Sequence, residues 1–158
     1  MVFEPIQIGK RSFDFKRPYI VGILNVTPDS FYDGGKYFSV DIAVERGLKM
    51  VDEGADIIDV GGESTRPGSK FISPEEEINR VVPVIEKLSR LTDVPISIDT
   101  TKSIVAREAI SAGACMINDI SGLRFDPGIA QVAREFGAPL ILMHSRKTPE
   151  IMQQNVHY

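Results

Sequence analysis

Five short apolar runs in this chain each end on a side chain that can do chemistry: YIVGILN on Asn25, DIID on Asp59, PISID on Asp99, CMIN on Asn118 and LILMH on His144. A carboxylate accepts two N–H bonds in parallel, and a carboxamide offers one acceptor and two donors. Asp99 and Asn118, carried to one mouth by neighbouring strands, would therefore suit the donor–acceptor edge of an aminopyrimidine. Such a pair discriminates, because a mismatched ligand leaves a buried polar group unpaired. Asp59 and Asp119 have a second use, bracing loops by accepting backbone N–H bonds, and for Asp119 that bland role is favoured.

Two long loops follow the first two runs and add further groups. NVTPDSFYDGGKYF, from Asn25 to Phe38, carries hydroxyls at Thr27 and Ser30, carboxylates at Asp29 and Asp33, aromatics at Phe31 and Tyr32, and Gly34-Gly35, which would let it move. Asn25 and Asp29-Ser30 are equally good turn formers. GGESTRPGS, from Gly61 to Ser69, carries Ser64, Thr65 and Arg66 followed by Pro67. A guanidinium can fork onto phosphate oxygens, although an Arg in a Gly-rich turn can also be merely solvated. His144-Ser145-Arg146-Lys147 bring an imidazole and two cations to the same rim. Neither of the two histidines has a metal-ligand partner at a helical or hairpin spacing, so no zinc site is expected. G-x-S-x-G, P-loop and G-x-G-x-x-G patterns are absent, which removes the simplest hydrolase, NTPase and dinucleotide readings.

The elements that must hold these groups alternate. The polar tips lie 34, 40, 19 and 26 residues apart, spacings that fit βαβ crossovers. A helix is predicted from Val40 to Glu53, with Val40, Val44, Leu48 and Val51 on one stripe, Ser39 as N-cap and Gly54 as stop. The next helix has the clearest start: Ser73 as N-cap, Pro74 at the first position and Glu76 closing a capping box, with Glu75 and Glu77 beside the dipole. Its buried stripe is Ile78, Val81, Val82, Ile85 and Leu88, and Pro83 within it should kink the helix. A third runs from Ser103 to Ala112 after a Thr100-Thr101 cap region, and a fourth from Asp126-Pro127 to Gly137. A fifth is announced by Thr148-Pro149-Glu150. Residues 6–15 alternate around Gly9-Lys10 as a small hairpin that plugs or edges the domain.

The 158 residues are 42% hydrophobic and 25% charged, the profile of an ordinary soluble globular domain, and the repeat of apolar runs and helices makes it α/β. A net charge of −4 and a pI near 5.2, with no clustered Lys or Arg, argue against nucleic acid. Met1-Val2-Phe3-Glu4-Pro5 has neither a basic n-region nor a long apolar stretch, and no segment approaches a membrane span, so a cytoplasmic location is expected. Cys115 is the only cysteine and reads as a small core residue. From periodicity and length alone, an open flavodoxin-like binding domain with helices on both sheet faces remains an alternative.

GILNVTPDSFYDGG, IIDVGGESTRPGS, ISIDTTK, INDISG and LMH, in this order on successive strand ends from Pro18 to His144, resemble dihydropteroate synthase. The resemblance implies a pterin-binding TIM-type (β/α)8 barrel, of which residues 1–158 would supply the hairpin and about five βα units in a single domain incomplete at its C-terminus. Barrels of this type run to about 250 residues. It implies a transferase of folate biosynthesis that joins 6-hydroxymethyl-7,8-dihydropterin diphosphate to p-aminobenzoate, giving 7,8-dihydropteroate and pyrophosphate, and that is a target of sulfonamides. Carried over residue by residue, it places Asn25 at Mg2+ and the diphosphate, where its carbonyl oxygen suits a hard cation. Thr65 and Arg66 would lie near the diphosphate and the p-aminobenzoate, with Phe31 and Pro67 walling the aromatic amine. Asp99 and Asn118 would hold the pterin beside Asp59, and Ile120 and Met143 would line its site. Asn25, Thr65, Arg66 and Asp99 are thus the expected catalytic set. An exposed sheet edge would favour self-association, so a homodimer is expected. A methyltetrahydrofolate:corrinoid methyltransferase would share the pterin contacts, but NVTPDSF and STRPG favour the synthase.

Overall fold

The computed structural model describes residues 4–27, 40–63 and 71–144. A hairpin of β1 (Ile6–Ile8) and β2 (Arg11–Phe13) comes first. Then follow β3 (Val21–Asn25), α1 (Val40–Asp52), β4 (Ile57–Gly61), α2 (Pro74–Leu91), β5 (Ile96–Asp99), α3 (Ser103–Ser111), β6 (Met116–Asp119), α4 (Gly128–Phe136) and β7 (Leu140–Leu142). The predicted Ser39 cap and the helix announced at Thr148 lie outside the described residues.

Strands β3 to β7 form one parallel sheet in strictly sequential order. Each helix packs on the next, α1 on α2, α2 on α3 and α3 on α4. A sheet that never reverses its strand order and carries its helices in one continuous row is an arc of a (β/α) barrel. The flavodoxin-like alternative, which needs a switch point and helices on both faces, is thereby overturned.

Alternation along each strand sorts the residues. Ile58, Val60, Ile96, Ile98 and Ile117 turn outward and are buried with Leu24 against Val81, Val84, Ile85 and Leu88 of α2 and Val105 of α3. The opposite parity, Asn25, Asp59, Gly61, Ser97, Asp99 and Asn118, faces the inside of the arc. At the other end of the sheet, Ile57 and Met116 join Ile8 and Phe13 in a separate small core with Tyr19 and Cys115 at its margin. The hairpin is therefore a plug on the N-terminal ends of the strands.

Two helices differ from expectation. Helix α2 continues through Pro83 to Leu91. Ser73 Oγ accepts the Glu76 N–H at 3.1 Å, as a capping box requires, but the Glu76 carboxylate pairs with Arg80. Helix α3 is not capped by the threonines. Asp126, from the loop that precedes α4, accepts the Ser103 N–H at 2.7 Å with one oxygen and the Gly128 N–H at 2.9 Å with the other. One carboxylate thus starts two helices, a tertiary capping that no local pattern discloses.

The entrance to β4 is held by a charge pair. Asp56 accepts both Arg17 amines, at 2.9 and 2.6 Å, and the Ile20 N–H at 2.9 Å, while Arg17 lies 4.4 Å from the centroid of the Tyr19 ring. The Arg17 guanidinium, then the Ile20 amide, hold the Asp56 carboxyl at about 2 against its burial. A depressed carboxyl stabilises the fold above its unfolded value and loses that stabilisation as pH falls. Since Arg17 is 58% exposed, solvent limits the contribution to about 1–2 kcal/mol at pH 7. Asp56→Asn is expected to lower stability by this amount at pH 7 and by only a small part of it near pH 2, where the folded-state carboxyl is half protonated. Thermal unfolding across pH 2–7 checks it, and an unchanged acid limb would count against the pairing. No helix among the described residues is long and apolar enough to cross a membrane.

Candidate functional site

Register builds the site. Asn25 pairs with Gly61, Gly61 with Asp99 and Asp99 with Asn118 across successive parallel ladders, so one row of the sheet near its C-terminal edge reads Asn, Gly, Asp, Asn. Asp59 is not at a strand tip, as the apolar run suggested. Strand β4 continues two residues past it to Gly61, which puts Asp59 one inward row deeper, opposite Ile23 and Ser97. A Cβ at Gly61 would stand 3.6 Å from the Asp99 carboxylate and 3.7 Å from Asn25 Oδ1. Glycine there keeps open the space between the outer carboxamide and the carboxylate.

Across the sheet, Asn118 Nδ2 donates to Asp59 Oδ2 at 3.0 Å. That bond turns the Asn118 amide nitrogen towards Asp59. Asp59 is 5% exposed, and its second oxygen is buried with no hydrogen-bond partner among the described residues; the same holds for Ser97 Oγ beside it. Burial pushes the Asp59 carboxyl above the usual range, with Ser97 and Asn118 close enough to temper the effect. Asp99 is pushed further, up to about 7, first by burial and then by the carboxylates of Asp59, Glu77, Asp119 and Glu63. The inner mouth is thus an acceptor-rich cleft short of donors. A ligand edge carrying several N–H groups would relieve both the orphaned oxygen and the crowding of negative charge.

Asp119 does brace its own turn. Its carboxylate, fully buried, accepts Ser121 N–H at 2.7 Å and Leu123 N–H at 2.6 Å. The turn it holds carries Ile120, half-buried beside the row, and Gly122 and Leu123 at φ of 60° and 64°. Met143, also half-buried, donates its backbone N–H to Asp119 O at 3.1 Å, which ties the exit of β7 to that of β6. His144 follows, exposed at the rim. Phe31, Thr65, Arg66 and Pro67 lie outside the described residues.

Sequence reasoning missed a second cluster. Glu77 is 1% exposed, although acids in a first helical turn are usually solvated. Lys102, from the β5–α3 connection, bonds it at 2.6 Å and also bonds Glu63 at the end of β4. Arg80 Nη1 donates to Gly62 O at 2.8 Å. The available signal was the parity of α2, where residue 77 falls in line with Val81, Val84 and Leu88.

No group of three or more His, Cys, Asp or Glu among the described residues is arranged to hold a metal. Asn25, exposed at the outer row, offers one hard oxygen. That suits Mg2+ only as an ion brought in on phosphate oxygens and keeping its waters, the usual state of Mg2+ in phosphate chemistry.

The pterin binding enzyme family matches this chain over residues 21–158. The dihydropteroate synthase of Synechocystis sp. is 51% identical over 155 residues, 98% of this chain and 54% of that protein. A solved Xanthomonas albilineans dihydropteroate synthase with 4-aminobenzoic acid superposes with a TM-score of 0.83 at 48% identity, over 89% of this chain and 52% of that one. A Burkholderia cenocepacia dihydropteroate synthase complexed with 7,8-dihydropteroate superposes with a TM-score of 0.79 at 42% identity, over 97% and 50%. The chain spans about half the length of the curated relatives it matches.

Proposed function

The chain belongs to the pterin binding enzyme family, and we propose that it supplies the pterin-holding arc of a dihydropteroate synthase, which condenses 6-hydroxymethyl-7,8-dihydropterin diphosphate with p-aminobenzoate. The observation that carries this reading is the acceptor cleft of Asp59, Asp99 and Asn118. Its orphaned Asp59 oxygen and its raised Asp99 carboxyl call for a ligand rich in N–H donors. The 2-amino-pyrimidinone edge of a pterin is such a ligand: its ring N–H and exocyclic amine match a carboxylate, and its ring acceptors match a carboxamide. The relatives crystallised with 7,8-dihydropteroate and 4-aminobenzoic acid support the same substrate classes.

In this reading Asp99 and Asp59 anchor the pterin, and Asn118, whose amide nitrogen keeps a second N–H beyond its bond to Asp59, reads the acceptor side. Ile120 and Met143 wall the ring. Asn25, on the outer row, faces the diphosphate and supplies one oxygen to Mg2+. Bound magnesium would neutralise charge on the leaving diphosphate. The amine nitrogen of p-aminobenzoate forms the new C–N bond, the methylene C–O bond breaks with its electrons going to the diphosphate, and the amine sheds a proton. The chain need provide no nucleophile. Its carboxylates near the pterin stabilise the electron-poor methylene as the bond breaks. Thr65, Arg66, Phe31 and Pro67 are assigned to the diphosphate and amine side, and a homodimer in the cytoplasm is the setting this reading carries.

The test is direct: the full-length protein that carries this arc, given both substrates and Mg2+, is expected to release pyrophosphate and form dihydropteroate, and a sulfonamide should compete with p-aminobenzoate. No pyrophosphate from an otherwise folded, pterin-binding protein would end the synthase assignment.

A further inference from the structure

The end of β4 is gripped from three directions. Gly62 packs so closely on α2 that a Cβ there would lie 2.8 Å from Val81 Cγ1 and 3.0 Å from Glu77 Cγ. Arg80 Nη1 holds the Gly62 carbonyl at 2.8 Å. The Lys102 ammonium, on side chains 19%, 17% and 1% exposed for Lys102, Glu63 and Glu77, bridges the Glu63 and Glu77 carboxylates. Gathering three charges out of water is costly, and replacing such groups with apolar ones is often neutral or stabilising. A buried triad of this kind is weak evidence for stability and better evidence for a conformation that has to be specified. What it specifies here is the direction in which the chain leaves β4: the Lys102–Glu77 bond fixes the ammonium against α2, and the Lys102–Glu63 and Arg80–Gly62 bonds then hold the two residues that follow the strand.

We infer that Lys102 is a positioning residue: by tying Glu63 to Glu77 it sets the exit of β4, the point from which the chain runs on to Thr65 and Arg66. This rests on the reading above, in which Thr65 and Arg66, two and three residues beyond Glu63, serve p-aminobenzoate and the diphosphate. Asp59, Asp99 and Asn118 are positioned by the sheet ladders and by the Asn118–Asp59 bond, so the clamp reaches the pterin contacts only through the charge that Glu77 and Glu63 lay on Asp99.

The experiment compares Lys102→Met, Lys102→Arg and Glu63→Gln with Lys10→Met, which breaks the exposed Lys10–Asp93 pair at the far end of the sheet. Glu63→Gln leaves the Lys102–Glu77 pair whole and serves if Lys102→Met fails to fold. Measurements are made at pH 8.5, above the value of about 7 to which Asp99 is raised in the parent, so that a change in its ionisation weighs least. Hydrogen exchange of the backbone over residues 57–63 is expected to speed up in Lys102→Met and Glu63→Gln, to recover in Lys102→Arg, and to stay unchanged in Lys10→Met. The KM for p-aminobenzoate should rise about tenfold or more in the first two, a typical consequence of losing orientation. Affinity for 6-hydroxymethylpterin should stay within about threefold of the parent, as for an interaction outside its binding groups. Unchanged exchange at 57–63 overturns the clamp, and so does an equal loss of pterin affinity and amine KM, which would mark a purely structural role. If the parent protein makes no dihydropteroate, the synthase reading fails, while the exchange arm still decides whether the clamp exists.

Discussion

Asp99→Asn is expected to weaken pterin binding by at least about 100-fold, the worth of a charge-assisted, two-point hydrogen bond, and at the same time to make the ligand-free protein more stable. Both effects come from one geometry. Asp99 ends β5 between Gly61 and Asn118, and its carboxyl is raised to about 7 by burial first and by the surrounding carboxylates next. In the unfolded chain the same group titrates near 3.8. The folded state therefore holds this proton more tightly. Its contribution to stability is full below about pH 4, declines as pH rises towards 7, and above 7 leaves a standing penalty on the order of 2–4 kcal/mol. Asparagine removes the ionisation, so Asp99→Asn should raise the melting temperature at pH 8, do less at pH 6 and nothing at pH 4. The parent's pterin affinity should fall about tenfold per unit below pH 7, because the ligand selects the ionised carboxylate. In Asp99→Asn that dependence should disappear. Thermal unfolding and pterin fluorescence titration across pH 5–9 measure both halves. A variant that binds pterin like the parent, or melts lower at pH 8, would refute the assignment.

Removal of the Asp119 carboxylate is expected to cost more stability than any other single change at the mouth. Asp119→Ala strands two backbone amides, Ser121 and Leu123, whose acceptors sit at 2.7 and 2.6 Å in a fully buried position. It also removes what holds Leu123 in a left-handed conformation that disfavours a branched side chain. Together these amount to about 3–5 kcal/mol. Asp119→Asn, which keeps one acceptor oxygen, should lose roughly half as much. Urea unfolding reads the difference. Pterin affinity of the folded Asp119→Ala fraction should drop as well, since Ile120 rides on the same turn. A loss below about 1 kcal/mol with an unchanged denaturant slope would show that the turn holds itself.

Much of this was legible before any coordinates. Asn25, Asp99 and Asn118 terminate or nearly terminate apolar runs of strand length, and a strand delivers such residues to one edge by geometry alone. The bracing role favoured for Asp119 follows from the capacity of a carboxylate to accept nearby backbone N–H bonds, and Ser121 and Leu123 supply them. Asp59 was placed in the right strand but at the wrong depth, because Val60 and Gly61 prolong β4 without adding polarity to mark its end. Glu77 reads from the sequence only as an acid beside the helix dipole, since nothing near it in the chain announces Lys102, 25 residues on. The cap on α3 was misassigned for a similar reason, the capping Asp126 being 23 residues away.

The division between the two sources follows from the range of the interactions involved. Alternation, helix starts and the spacing of polar tips are local properties of the chain, so the amino-acid sequence by itself determined the parallel α/β repeat, the hairpin before it and which residue types would gather at the mouth. Strand order, the row that aligns Asn25, Gly61, Asp99 and Asn118, the bond that turns Asn118 towards Asp59 and the Lys102 clamp join residues far apart in the chain. Their energies arise only when desolvation and charge meet at close range. Tertiary structure alone decided those, and with them why a carboxyl at position 99 should titrate near neutrality.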